Sequence, residues 1–166
     1  MNENKPCDCA DCRAAAEGLS PEQIAERRRE WEKKCLTENG YYVHAVAGDD
    51  STATGFNFHT HGLSETANHP DLQITVPMPP TMAHKIISTV ADRVRTGEKL
   101  ADGQLLNEVI KNFPVKLYAA KEGGRDVFRI ILPDPEGKLE QDEMNDQYKT
   151  QYKEPRPAPK WVAHKH

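Results

Sequence analysis

The stretch Gly55-Phe56-Asn57-Phe58-His59-Thr60-His61 limits what this chain can fold into, because its apolar and polar side chains alternate at a period of two. A β-strand sends successive side chains to opposite faces. Phe56, Phe58 and Thr60 then share one face, and Asn57, His59 and His61 share the other. The spacing predicts a half-buried strand with phenylalanines against a core and imidazoles directed outward. Gly62 frees the backbone to turn, and Ser64, Glu65, Thr66, Asn68 and His69 form a polar loop closed by Pro70.

Such a strand needs partners, and the flanking sequence supplies them. Residues 41–47 read as a first strand ended by the turn residues Gly48, Asp49 and Asp50. Residues 72–76 read as a third. Pro77, Pro79 and Pro80 stop it and open a helix over 81–95, where Met82, Ile86, Val90 and Val94, with Ala83, Ile87 and Ala91, make a wide apolar stripe. A short helix is expected near 104–111, then strands at 115–119 and 127–132 around a Gly123-Gly124 turn. Upstream, Ser20, Pro21 and Gln23 spell a capping box and start a helix over 21–37, with Ile24, Trp31 and Cys35 on one stripe and Gly40 as its stop. The expected class is α+β: a mainly antiparallel sheet of about five strands with two main helices.

At 166 residues the chain holds one domain comfortably. That domain is placed at 20–137, between an irregular Cys-rich segment, 1–19, and a polar tail, 138–166. Apolar residues are only 37% and mean hydropathy is -0.79. The tail has too few aliphatic side chains to offset the entropy of ordering, so it is expected to be loosely draped. A net charge of -4 and a pI near 6.0 disfavour nucleic acid as a partner. No apolar run approaches the roughly 20 residues of a bilayer span, and the first residues lack the apolar core of a secretory signal. A soluble, cytoplasmic protein is the expectation, with cysteines as thiols or metal ligands rather than disulfides.

Two clusters can carry chemistry. Histidines two apart on a strand project in parallel from Cα atoms about 6–7 Å apart, close enough to clasp one divalent ion such as zinc. A third ligand is needed, and His69, His44, Glu65 and Asp71 are in reach. In a catalytic version His59, His61 and His69 hold the ion and Glu65 serves as general base toward its water. The plainer reading leaves both histidines as polar surface residues of the strand. The second cluster is Cys7, Cys9 and Cys12, which with Cys35 offers four thiolates for a structural metal. A redox pair, or thiols without a role, are its alternatives. No nucleophile elbow and no phosphate-binding glycine loop is present in the sequence.

Several short runs occur in a fixed order: Tyr41-Tyr42-Val43-His44 with Gly48-Asp49-Asp50, then Thr60-x-Gly62-Leu63-Ser64-Glu65, Asn68-His69-Pro70-Asp71-Leu72, Pro77-Met78-Pro79-Pro80 and Ala83-His84. In that order the chain resembles the domain-of-unknown-function 4262 family over about residues 38–137. The resemblance implies a fold-level grouping and a source among bacteria and their viruses, and it brings no established activity. His59 stands where that family usually has tyrosine, and His61 where it has an aliphatic residue. From residues and resemblance together, the leading expectation is a small zinc-binding accessory or binding module. A metal-dependent hydrolase and a protein-interaction or inhibitor module are the alternatives.

Overall fold

The computed structural model describes residues 10–47, 54–122 and 124–153, the side chains of residues 10–12 and 47 excepted. The chain divides into two compact units, 1–39 and 40–166.

In the first unit, helix α1 (Ala10–Ala16) precedes helix α2 (Pro21–Asn39). The capping box forms as the sequence requires: Ser20 N–H donates to Gln23 Oε1 at 2.8 Å, and Gln23 N–H donates to Ser20 Oγ at 3.2 Å. Two expectations are corrected here. Part of the segment expected to be irregular is helical, and the stripe of α2 is not buried, since Trp31 is 50% exposed and no residue of the helix is buried. The helix carries charge on nearly every side, so its apolar stripe is too narrow to be shielded.

The second unit is an α+β sheet structure. Its strands are β1 (Tyr42–Ala47), β2 (Phe56–His61), β3 (Asp71–Ile74), β4 (Leu105–Leu106), β5 (Val115–Glu122) and β6 (Arg125–Ile131). They form one six-stranded sheet in the order β1-β2-β3-β6-β5-β4. Every neighbouring pair is antiparallel except β3 and β6, which run parallel at the centre of the sheet. Helix α3 (Leu63–Thr66) follows β2, and helix α4 (Pro80–Arg95) follows β3.

The core lies between α4 and one face of the sheet. Ala83, Ile86, Ile87, Val90, Ala91 and Val94 of α4 are buried at the expected spacing, together with Phe58, Leu72, Ile74, Leu117 and Ile130, whereas Met82, expected on the same stripe, lies in the first turn and is 54% exposed. Each such aliphatic or aromatic side chain contributes roughly 1.5–3 kcal/mol by leaving water. The expected helix near 104–111 is absent. Glu108 and Asn112 have φ of 64° and 75°, in the left-handed region that interrupts a right-handed helix. Leu105 and Leu106 instead pair with β5 as the sixth strand.

The tail is also corrected in part. Residues 146–149 form helix α5 (Asp146–Lys149), followed by a single 3₁₀ turn (Thr150–Tyr152), and Met144 and Gln151 are buried. What orders this polar stretch is hydrogen bonding. The Gln151 amide accepts from Leu132 N–H at 2.7 Å and donates to Leu132 C=O at 3.0 Å, as a neighbouring strand would.

Candidate metal centre

Antiparallel neighbours in register project their side chains to the same face. The pairings His44↔His59 and Tyr42↔His61 therefore put three imidazoles on one side of β1 and β2. Gln73 joins them through its pairing with His59, and Arg129 through its pairing with Gln73. This is the face opposite Phe58 and α4, and it is polar down to its buried floor. Asn57, His59, Gln73 and Arg129 are all buried. The expectation of outward imidazoles is thus corrected for His59, which is only 3% exposed. Side chains of its own face cover it, and a polar face can be covered when each group finds a partner.

One nitrogen from each of His44, His59 and His61 lies within 4.8 Å of the others, the only such group of possible metal ligands among the described residues. His59 Nε2 and His61 Nε2 are 3.0 Å apart. Zinc–nitrogen bonds of about 2.0–2.1 Å in tetrahedral array separate ligand nitrogens by about 3.4 Å, so this pair is already near the spacing an ion imposes. His61 is also stacked on Tyr42, with ring centroids 5.1 Å apart. Burial falls from His59 through His61 to the exposed His44, so the cluster opens toward solvent on the β1 side.

Which nitrogen of His59 carries the lone pair follows from a chain of hydrogen bonds. An arginine can only donate, so Arg129 Nε, 2.9 Å from Gln73 Oε1, fixes that oxygen as acceptor. Gln73 Nε2 must then donate, and it does so to Asn57 Oδ1 at 3.0 Å. Asn57 Oδ1 is thereby an acceptor, and the atom facing it at 2.9 Å, His59 Nδ1, must hold a proton. A neutral imidazole protonated at Nδ1 has its lone pair on Nε2. That lone pair points at His61 Nε2. The buried chain acts on His59 as second-shell groups act on metal-binding histidines, setting tautomer and ring orientation.

Burial keeps His59 and His61 neutral. Burial pushes the His59 pKa down to about 4, helped by the neighbouring His61, His44 and Arg125 and opposed by the Glu122 carboxylate. His61 is also lowered, first by burial and then by Arg125. A metal ligand must be unprotonated at the nitrogen that binds: His59 Nε2 is so already, and the neutral His61, which donates from Nε2 to it, has to shift that proton to Nδ1 before its Nε2 can take an ion. Glu122 itself is held below the usual carboxylate range against its burial, by hydrogen bonding to Arg125 and the nearness of His59. Arg125 is fully engaged: it donates to Glu122 at 2.6 Å, to Asp71 at 2.7 Å and to the Thr60 carbonyl at 3.1 Å.

The other residues singled out in the sequence do not join this cluster. His69 is buried at 8% exposure, donates from Nδ1 to the Pro70 carbonyl at 2.7 Å and packs on Phe128, which lies on the face opposite Arg129. His44 takes the place expected for it, because the β1–β2 register delivers that residue directly beside His59. Glu65 is exposed in the first turn of α3 and is not a member of the ligand group. Asp71 is a structural corner that accepts from Thr60 Oγ1, Leu63 N–H and Arg125. Cys35 is a partly buried free thiol whose pKa is raised by burial. Cys12 lies in α1, and Cys7 and Cys9 fall outside the described residues. Asn57 could be read from alternation with the two histidines; Gln73, Arg129 and Glu122 carried no such signal.

Among the described residues no helix is long and apolar enough to cross a membrane. The sequence profile of the family described as Domain of unknown function (DUF4262) matches residues 36–143. No curated protein and no solved structure gives a significant match.

Proposed function

The chain belongs to the DUF4262 family, and from that premise we propose that this member is a divalent-metal-binding protein, with zinc as its ion and His44, His59 and His61 as its ligands. The observation that carries the reading is the buried Arg129–Gln73–Asn57 chain, which turns the His59 lone pair toward His61. Any buried histidine needs hydrogen-bond partners, but here the relay fixes Nδ1 as the donor and leaves the Nε2 lone pair turned into the histidine cluster, as the groups behind a metal-bound histidine do. Three imidazoles without thiolate or carboxylate suit zinc, copper or nickel over magnesium or calcium.

Three protein ligands leave a fourth position for water or for a group offered by another molecule. The reading therefore extends to an accessory or binding module, with the exposed side near His44 as the approach. A hydrolase is the second reading, favoured by that open position and by the Glu122 carboxylate beside His59. In it Glu122, rather than Glu65, is the carboxylate that would serve as acid–base group. We place the protein in the cytoplasm of a bacterial or virus-infected cell, without a nucleic-acid partner. Cys7, Cys9, Cys12 and Cys35 remain a proposed structural staple of the N-terminal segment.

Elemental analysis of untagged protein tests this, on wild type and on His59→Ala/His61→Ala and Cys9→Ala/Cys12→Ala variants. The expected result is an ion lost with the histidines and retained without the cysteines. An ion lost with the cysteines alone leaves only the staple, and no ion in any sample sinks the metal reading and favours a protein-interaction module.

A further inference from the structure

The hydrogen-bond chain does not begin at Arg129. Its Nη1 donates to the carbonyls of Gln151 at 2.7 Å and Lys153 at 2.9 Å, so the guanidinium is held from one side by the C-terminal segment and holds Gln73 with the other. Those two carbonyls stay in place because Gln151, fully buried, is tied to both backbone groups of Leu132 and to the Tyr148 carbonyl. The segment has further moorings. Asn145 caps α5 through Tyr148 N–H and donates its own N–H to Asp134, and the Tyr152 hydroxyl donates to the Leu139 carbonyl at 2.6 Å. Tyr152 also meets Tyr118 edge to face at 5.1 Å.

We infer that Gln151 is a positioning residue for the metal centre, and that residues 145–153 form a strap that sets the centre's affinity through Arg129, Gln73 and Asn57. The inference rests on the metal reading above and adds a control element to it. Without the Gln151 amide the carbonyls of residues 151 and 153 lose their anchor. Arg129 then loses two acceptors, and its grip on Gln73 Oε1 is no longer set from both sides. Once Gln73 can turn over it no longer fixes Asn57 Oδ1 as an acceptor; Asn57 keeps its long donation from Nδ2 to Glu122 at 3.5 Å, and His59 comes to share its proton between Nδ1 and Nε2, where it blocks an ion. The bonds from the Gln151 carbonyl through Arg129, Gln73 and Asn57 to His59 all join buried groups, so water offers no substitute for a lost partner there.

The test uses the full chain as wild type, Gln151→Ala and Val90→Ala, the last removing core volume in α4 away from the relay. Zinc affinity is measured by competition with a chromophoric chelator, and the His59 tautomer in metal-free protein by two-bond proton–nitrogen correlation spectra. Loss of a second-shell partner weakens metal binding by about 10–100-fold. The expected result is a weakening near the lower end of that range in Gln151→Ala, with His59 passing from one tautomer to a mixture. Val90→Ala loses stability and keeps both readouts. Wild-type affinity and a single tautomer in Gln151→Ala overturn the inference, as does an equal loss of affinity in Val90→Ala. Should Gln151→Ala fail to fold, Arg129→Lys keeps the charge but not the fork and is held to the same criteria. Should wild type take up no zinc, the metal reading falls, and the tautomer comparison alone decides the positioning role.

Discussion

His59 is a buried imidazole with both nitrogens engaged, Nδ1 by Asn57 and Nε2 by His61. Replacing Asn57 by leucine keeps the bulk and removes the acceptor, so zinc affinity should fall by about 10–100-fold, while Asn57→Asp, which still accepts from His59 but loses the donation to Glu122 and faces its carboxylate, should fall less. Chelator competition on the two variants reads this directly. Acid should also act through His59. Its pKa is about 4 when folded against 6.5 when free, so the native state binds fewer protons between those values, and stability is complete above 6.5 and lost as pH falls toward 4. At 1.36 kcal/mol per pH unit the loss is on the order of 3 kcal/mol. Denaturant titrations of metal-free protein at pH 7 and pH 4.5 should show it, with a flatter profile in His59→Gln. The sequence reveals Asn57, His59 and His61 as one face, because alternation is a local property. It cannot reveal Gln73 and Arg129, which lie 56 residues apart and meet only through the one parallel pairing of the sheet.

The elements that were legible are those whose signals are local and repeated. The stripe of α4 and the capping box of α2 both form where the residue pattern puts them. Gly62 also plays the part read from its position, with φ of 111° at the turn from β2 into α3. A side chain is strained in that backbone conformation, so Gly62→Ala should cost about 1–2 kcal/mol, read as a lower denaturation midpoint at unchanged slope. The segment near 104–111 misleads because Leu105 and Leu106 pair with β5 and the backbone turns left-handed at Glu108 and, just past the segment, at Asn112; asparagine tolerates that region, but glutamate gives no sign of it. The C-terminal stretch misleads for a related reason. Its order comes from one buried glutamine together with a few well-placed apolar side chains, Met144, Tyr148 and Tyr152, and average composition registers neither.

For the whole molecule, the sheet separates two tasks: an apolar face packed by α4 and a polar face that carries the histidines. The fold class was readable because both periodicities, 3.6 and 2, are written in the sequence. The strand order was not, since it depends on pairings between distant segments. An ion that binds only the folded sheet must stabilise it. At 100-fold excess over the dissociation constant the gain is about 2.7 kcal/mol, or roughly 5–10 °C in melting temperature for a chain of this size, abolished in His44→Ala/His59→Ala.

The most direct measurement is a cobalt titration of metal-free, untagged protein followed by visible absorption, on wild type, His44→Ala, His59→Ala and His61→Ala. Three imidazoles converging on one point predict a single histidine-dependent equivalent with a four-coordinate, nitrogen-rich spectrum, weakened or lost in every one of the three variants. A wild-type spectrum without that equivalent, or the same spectrum in all three variants, would contradict the account.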